Sequence, residues 1–178
     1  MKQTVKIDQS TIDHLISWEA KYYQAYKDDV GVWTTGVGHA IFDHNEKFDG
    51  IKLLVGTLTD NQVNKLLEQD LYERTHSPQT IDLKINILLN QNQFNSLILF
   101  CFNEGTIWND LVYLINNDVS NENKIRSQWR KYNKGGGKIL SGLVNRREYE
   151  IDLFFDKCKD RKYYNKAIVK NDEIIVGY

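Results

Sequence analysis

Proline is nearly missing from this 178-residue chain, which has one, Pro78. Together with the lack of any low-complexity tract, that argues against long disordered linkers. Cysteine is almost as scarce: Cys101 and Cys158 both fall in apolar helical patterns and are expected as buried, reduced thiols. Long hydrophobic runs are missing too. The longest, "LILFCF" at 97–102, is far too short to span a bilayer. The N-terminal "MKQTVKIDQSTIDHLISWEA" interrupts its apolar residues with charge, so neither a signal peptide nor a membrane anchor is expected. The chain should therefore be made in the cytoplasm and need separate delivery to act outside it. No HExxH or paired CxxC spacing suggests a metal site, and neither "GVGH" nor "KGGGKILSG" completes a phosphate- or dinucleotide-binding fingerprint. No cofactor is implied.

Net charge is also low, at −1, but it hides an asymmetry. Residues 123–147 carry eight Lys or Arg and no acid, which leaves 15 basic against 24 acidic residues elsewhere. Such a segment is either a solvated face or a surface for a polyanion. Hydrophobic content of 41% and charged content of 26% suit a globular protein of one domain, with length enough for two lobes.

Apolar spacing organises the rest. Ile12, Leu15, Ile16 and Ala20 predict a helix capped by Ser10 or Thr11, with Glu19 near its C-terminal end. A carboxylate fits poorly there, because that end of the helix dipole is negative. "DDVG", "TTGVGH" and "DHNEKFDG" then read as turns and short strands of a small sheet over 25–56. Helices return with the capping box "TDNQ" at 59–62 and an apolar face of Val63, Leu66, Leu67 and Leu71. Others fit 92–103 with Gly105 as its stop, 107–117, 119–133 and 143–158, with "NKGGGKILSG" as a loop and two short strands in the tail. The class is α+β with a helical majority.

The stretch "WEAKYYQAYKDDVGVWTTGVGHA" at 18–40 carries the chemistry. Glu19 ends a helix, Asp28 follows in the first turn of the sheet, and Thr34 stands on a strand. Two carboxylates on different elements, flanking a cleft, are what glycosidic cleavage needs, and a hydroxyl beside them can hold a water. By spacing alone, surface acids and a strand threonine are the more common reading.

The surroundings of these residues resemble the phage-type lysozymes, the muramidase family of lambdoid phage endolysins. That family's signature reads roughly EGxxxxAYxDxxGxxTIGYGHT. The likeness continues in "LTDNQVNKLLEQDL", "LNQNQFNSLILFCFNEG" and "WRKYNKGGGKILSGLVNRREYEIDLF", in the family's order from about residue 11 to 155. The resemblance implies a lysozyme-like fold with an active-site cleft between a sheet-bearing lobe (11–60) and a helical lobe (61–160). Residues 161–178 form an extension without counterpart. It implies Glu19 as general acid, Asp28 as second carboxylate and Thr34 as the water-positioning hydroxyl. Arg146, or failing it Arg147, would approach Glu19 from the helical lobe. His39 would pair with Asp70 or be an ordinary hydrogen-bonded histidine. Ala20, Thr35, Val37 and Ala40 stand where the family favours Gly, Ile, Tyr and Thr.

The activity so implied is hydrolysis of the β-1,4 bond between N-acetylmuramic acid and N-acetylglucosamine in peptidoglycan, with inversion. The biology would be phage lysis after release by a holin, or a secreted antibacterial effector with an immunity protein. A non-catalytic wall-binding module would have no use for all three of Glu19, Asp28 and Thr34. A nucleic-acid binder would rest on 123–147 with Trp129 and Tyr132, and Trp129 reads as core.

Overall fold

Asp8 starts the first helix. Its Oδ1 accepts the Thr11 backbone N–H at 2.9 Å, and the Ser10 hydroxyl donates to the same oxygen. The cap is therefore neither Ser10 nor Thr11, because an aspartate one turn earlier already satisfies the free N–H. The structure, a computed structural model, describes residues 5–28, 31–41, 57–76, 80–165, 167–170 and 173–176. Two units divide it, residues 8–73 and residues 1–7 with 74–178.

The first unit contains α1 (Gln9–Glu19), β1 (Tyr22–Lys27), β2 (Trp33–Gly36), β3 (His39–Ala40) and most of α2 (Asp60–His76). The strands form one antiparallel sheet in the order β1-β2-β3, with Tyr26 opposite Thr34 and Thr35 opposite His39. Gly36 (φ 61°) and Gly38 (φ 65°) flank the Val37 turn in the left-handed region, which explains the glycines of "GVGH". The part of the expected sheet at 42–56 lies outside the described residues. Helix α2 begins with the expected box: Thr59 Oγ1 accepts from the Gln62 N–H, and Gln62 Oε1 accepts from the Thr59 N–H at 2.8 Å. Its Val63, Leu67 and Leu71 are buried, as their spacing predicts. This unit thus takes in much of a helix that the resemblance grouped with the helical lobe.

The second unit is mainly helical: α3 (Ile81–Lys84), α4 (Gln91–Glu104), α5 (Asn109–Asp118), α6 (Glu122–Trp129), α7 (Ser141–Phe154) and α8 (Arg161–Tyr164). Two hairpins accompany them, β4 (Lys134–Gly135) with β5 (Lys138–Ile139), and β6 (Ala167–Lys170) with β7 (Glu173–Val176). Helix α4 is buried along its whole middle, from Phe94 to Cys101, and packs on α7. An Asn90–Gln93 capping box opens it, and Gly105 at φ 74° closes it where expected. "NKGGGKILSG" is a hairpin rather than a plain loop.

Helix α7 stops four residues before the expected end, since Asp156 turns to φ 56° and Lys157 N–H bonds back to the Asp152 carbonyl. Cys158 therefore falls beyond the helix and is exposed, a correction to its expected burial. Cys101 is buried, and desolvation pushes its thiol well above the usual range. Both cysteines are free thiols. The segment after 158 is anchored to α7 by the Tyr164 hydroxyl, which donates to Asp152 at 3.0 Å.

Buried charge forms a network in this unit. Arg147 and Glu150 are both fully buried. Arg147 donates to Glu150, Glu104, Asn103 and the Tyr132 carbonyl. Glu150 also accepts from Arg146 and from the Trp129 indole at 3.0 Å. Trp129 is core, as expected.

Candidate active site

Glu19 is the last residue of α1, a helix held by the buried Leu15. The next residue, Ala20, sits at φ 59°, ψ 177°, a region that suits glycine and strains any residue with a Cβ. That is the position where the family favours glycine. The sharp turn it makes sends the chain straight from the Glu19 carboxyl into β1.

Strand β1 is pinned at its start. Lys21 Nζ and the Tyr23 hydroxyl both donate to Asp60 Oδ1, at 2.7 and 2.9 Å, and the Leu58 N–H bonds to the Tyr23 carbonyl. These bonds hold the Asp60 carboxyl below the usual carboxylate range. Asp60 is the first residue of α2, so a carboxylate there also suits the helix N-terminus.

Asp28 directly follows β1. Its N–H bonds to the Val32 carbonyl, its own carbonyl accepts from Gly31, and its Oδ1 accepts the Val32 N–H at 2.8 Å. Thr34, two residues on and 5% exposed, donates its hydroxyl to the Val32 carbonyl at 3.2 Å. The backbone of one residue, Val32, therefore orients both the Asp28 carboxylate and the Thr34 hydroxyl. A hydroxyl has one donor and two acceptor lone pairs, so Thr34 faces any bound water as an acceptor.

His39 stands on β3, opposite Thr35. Its Nδ1 lies 2.9 and 3.0 Å from the two oxygens of Asp70 on α2. An ionised carboxylate only accepts, so Nδ1 carries the proton. The pair ties the sheet to the helix. Glu19, Asp28, Thr34, His39 and Asp70 all belong to the first unit.

Arg146 and Arg147 belong to the second. Neither is a surface arginine: Arg146 donates to Glu150 and to the Leu99 carbonyl, and Arg147 is enclosed by the network above. Five of the eight cations in 123–147 (Lys124, Arg126, Arg130, Arg146 and Arg147) are paired, with Asp118, Asp152, Glu148, Glu150 and Glu104. Every one of these acids lies outside the basic segment or just after it. Folding thus offsets much of the asymmetry of the sequence. Among the described residues no cluster of His, Cys, Asp or Glu is arranged to hold a metal ion, and no helix is long and apolar enough to cross a membrane.

Sequence reasoning did not single out Val32 or the Lys21–Tyr23–Asp60 anchor, and noted Ala20 only as a departure from the family's glycine. Val32 offers no signal, since it acts through its backbone. Ala20 offers one, a residue other than glycine directly after a helix end.

Comparison with known proteins adds relatives to this geometry. A family model described as phage lysozyme matches residues 16–150. The endolysin of Bacillus phage B103 is 29% identical over 155 residues, covering 84% of this chain and 54% of that protein. The endolysin of Salmonella phage P22 is 32% identical over 102 residues, covering 57% of this chain and 64% of that one. The chain spans about half the length of the Bacillus phage relatives it matches. Among solved structures, an endolysin from Escherichia coli O157:H7 phage FAHEc1 superposes with TM-score 0.67 at 21% identity, covering 89% of this chain and 98% of that one. A P22 lysozyme mutant gives 0.63 at 26% identity, covering 85% and 99%. The fold is lysozyme-like α+β.

Proposed function

This chain belongs to the phage lysozyme family, and on that premise we propose that it hydrolyses the β-1,4 bond between N-acetylmuramic acid and N-acetylglucosamine in peptidoglycan. Glu19 gives its proton to the leaving glycosidic oxygen as the bond to the anomeric carbon breaks. A water held by Thr34 attacks that carbon from the opposite face and passes a proton to Asp28. For this chemistry Glu19 must carry a proton and Asp28 a charge. Direct attack by water inverts the anomeric centre and requires the carboxyl groups to be roughly 6.5–9.5 Å apart. The His39–Asp70 pair keeps the sheet that follows Glu19 in register. No metal or cofactor takes part.

The observation that carries this reading is the double use of Val32. A strand threonine and a turn aspartate held through one residue's N–H and C=O keep a fixed relation to each other. Preorganisation of that kind is what a water-positioning site needs. The endolysin relatives support phage-mediated host lysis as the role, with peptidoglycan reached after a holin opens the membrane.

The test is hydrolysis of purified peptidoglycan and clearing of chloroform-permeabilised Gram-negative cells. Glu19→Gln keeps the shape and removes the transferable proton, so turnover should fall about 1,000-fold while circular dichroism stays unchanged. Asp28→Asn should lose nearly as much. Near wild-type turnover in Glu19→Gln would sink the mechanism. Nuclear magnetic resonance of the first product anomer decides inversion, and a retained configuration would remove direct attack by water.

A further inference from the structure

The second unit holds a groove of about 470 Å³ lined by Lys84, Thr106, Trp108, Asn109, Asp110 and Tyr132. Its aromatic rings are held, not loose. Trp108 is 47% exposed, yet its indole N–H donates to Glu104 Oε2 at 3.2 Å. Glu104 in turn accepts from the buried Arg147 through its other oxygen, at 3.0 Å. Tyr132 has its hydroxyl bonded to Gln128, its ring edge against Phe100, and its carbonyl bonded to the same Arg147. The two ring planes lie within 8° of parallel, with centroids 6.2 Å apart.

Such an arrangement does not serve the helix that it begins. Trp108 is the N-cap of α5 and makes no side-chain capping bond. Ile107 beside it is fully buried, so the chain turns one side chain into the core and leaves the larger one in solvent. An ordered, half-exposed indole whose polar edge is already satisfied presents mainly its face, which carries partial negative charge. Around it stand an amide, a carboxylate, a hydroxyl and an ammonium. Lys84 uses two of its three donors on Thr106 Oγ1 and the Ile107 carbonyl.

We infer that this groove of the second unit is a saccharide-binding site that takes an N-acetylated pyranoside segment of the peptidoglycan glycan. The C–H bonds on a pyranose face carry partial positive charge and suit a flat aromatic face. Sugar hydroxyls and the N-acetyl amide match two short polar groups on the first turn of α5, Asn109, which donates and accepts, and Asp110, which accepts. A polyanion fits worse, because Asp110 and Glu104 oppose the single charge of Lys84. The assignment of the glycan as ligand rests on the muramidase reading.

The test uses the full chain with Glu19→Gln, so that bound glycan is not consumed. The probe is the N-acetylglucosamine tetramer, followed by calorimetric titration, together with retention on purified peptidoglycan. Adding Trp108→Ala should remove one class of sites for the tetramer and lower retention at least tenfold, with Trp108→Tyr restoring most of both. Asn109→Ala, on an exposed first turn, should weaken the same class about threefold and serves if Trp108→Ala loosens the fold. Unchanged titration in the folded Trp108 and Asn109 variants would overturn the proposal. So would binding of free stem peptide in the groove with no binding of the tetramer. If the native protein fails to hydrolyse peptidoglycan, the muramidase reading falls, while the titration still decides the groove.

Discussion

The two units treat buried polar groups in opposite ways. In the helical unit Arg147 and Glu150, both without exposure, are bonded to each other and to Glu104, Asn103, Trp129 and the Tyr132 carbonyl. Ser96, also buried, donates to the Glu150 carbonyl at 2.5 Å. In the sheet-bearing unit the buried Thr35 Oγ1 has no hydrogen-bond partner among the described residues, and Ala20 adopts a backbone conformation that favours glycine. The contrast is not absolute. In the helical unit Arg74 Nε and Arg147 Nε likewise have no hydrogen-bond partner among the described residues, although Arg147 Nε lies 2.8 Å from Glu150 Oε2. Asp156 there has a φ of 56°. Even so, Ala20 and Thr35 are the chain neighbours of Glu19 and Thr34, two of the residues proposed for catalysis. Departures from local rules concentrated beside a reacting centre are what a scaffold tolerates for function and a supporting core does not.

The strongest way to break this comparison is to attack the network. Glu150→Gln removes the acid that Arg146 and Arg147 share, leaves Arg147 with Glu104 alone among the described residues, and should cost about 3–5 kcal/mol in urea denaturation. A loss below about 1 kcal/mol would mean that the network adds little to the helical unit.

Relief of strain should go the other way in the sheet-bearing unit. Ala20→Gly removes the Cβ from a position at φ 59° and should stabilise the protein by about 1 kcal/mol, after the extra chain entropy that glycine loses. A lower midpoint for Ala20→Gly would show that the turn carries no strain.

Removing one buried hydroxyl from each unit sharpens the contrast further. Thr35→Val keeps the shape and deletes an orphaned group, and should be neutral to about 1 kcal/mol stabilising. Ser96→Ala deletes a bonded group and should cost about 1 kcal/mol. Equal signs for the two would erase the distinction.

The smallest effect concerns the anchor of β1. The Asp60 pKa is lowered by its bonds to Lys21 and Tyr23, so its contribution is present above the usual carboxylate range and lost as pH falls through the lowered value. Lys21→Met should therefore flatten the acid limb of stability against pH below about pH 4 and leave the neutral limb almost untouched. An identical acid limb in the variant would remove the anchor's role.

Much of this architecture was legible in the chain. The helices around Leu15, Val63 to Leu71 and Phe94 to Cys101 announced themselves by apolar spacing, because burial on one face leaves a 3.6-residue period. Gly105 and the "TDNQ" box marked ends through local backbone chemistry. The glycines of "GVGH" marked a turn for the same reason. The catalytic candidates were legible only as a spacing, Glu19, Asp28 and Thr34, whose meaning came from resemblance. What misled was also local. The apolar pattern ran on through "LFFDKC", so Cys158 read as helical and buried, until the Asp156 backbone turned the chain out.

Sequence alone determined the element types and the three-residue constellation, because those depend on residues within a few positions of one another. Tertiary structure alone decided where the charges of 123–147 went. Glu150 lies three residues from Arg147 on the same helix, but Glu104, 43 residues away in the chain, is set beside Arg147 by the packing of α4 on α7. It also decided that Val32, silent as a side chain, would hold Asp28 and Thr34 through its N–H and C=O. Backbone groups are the same in every non-proline residue, so only the folded path gives one of them a task.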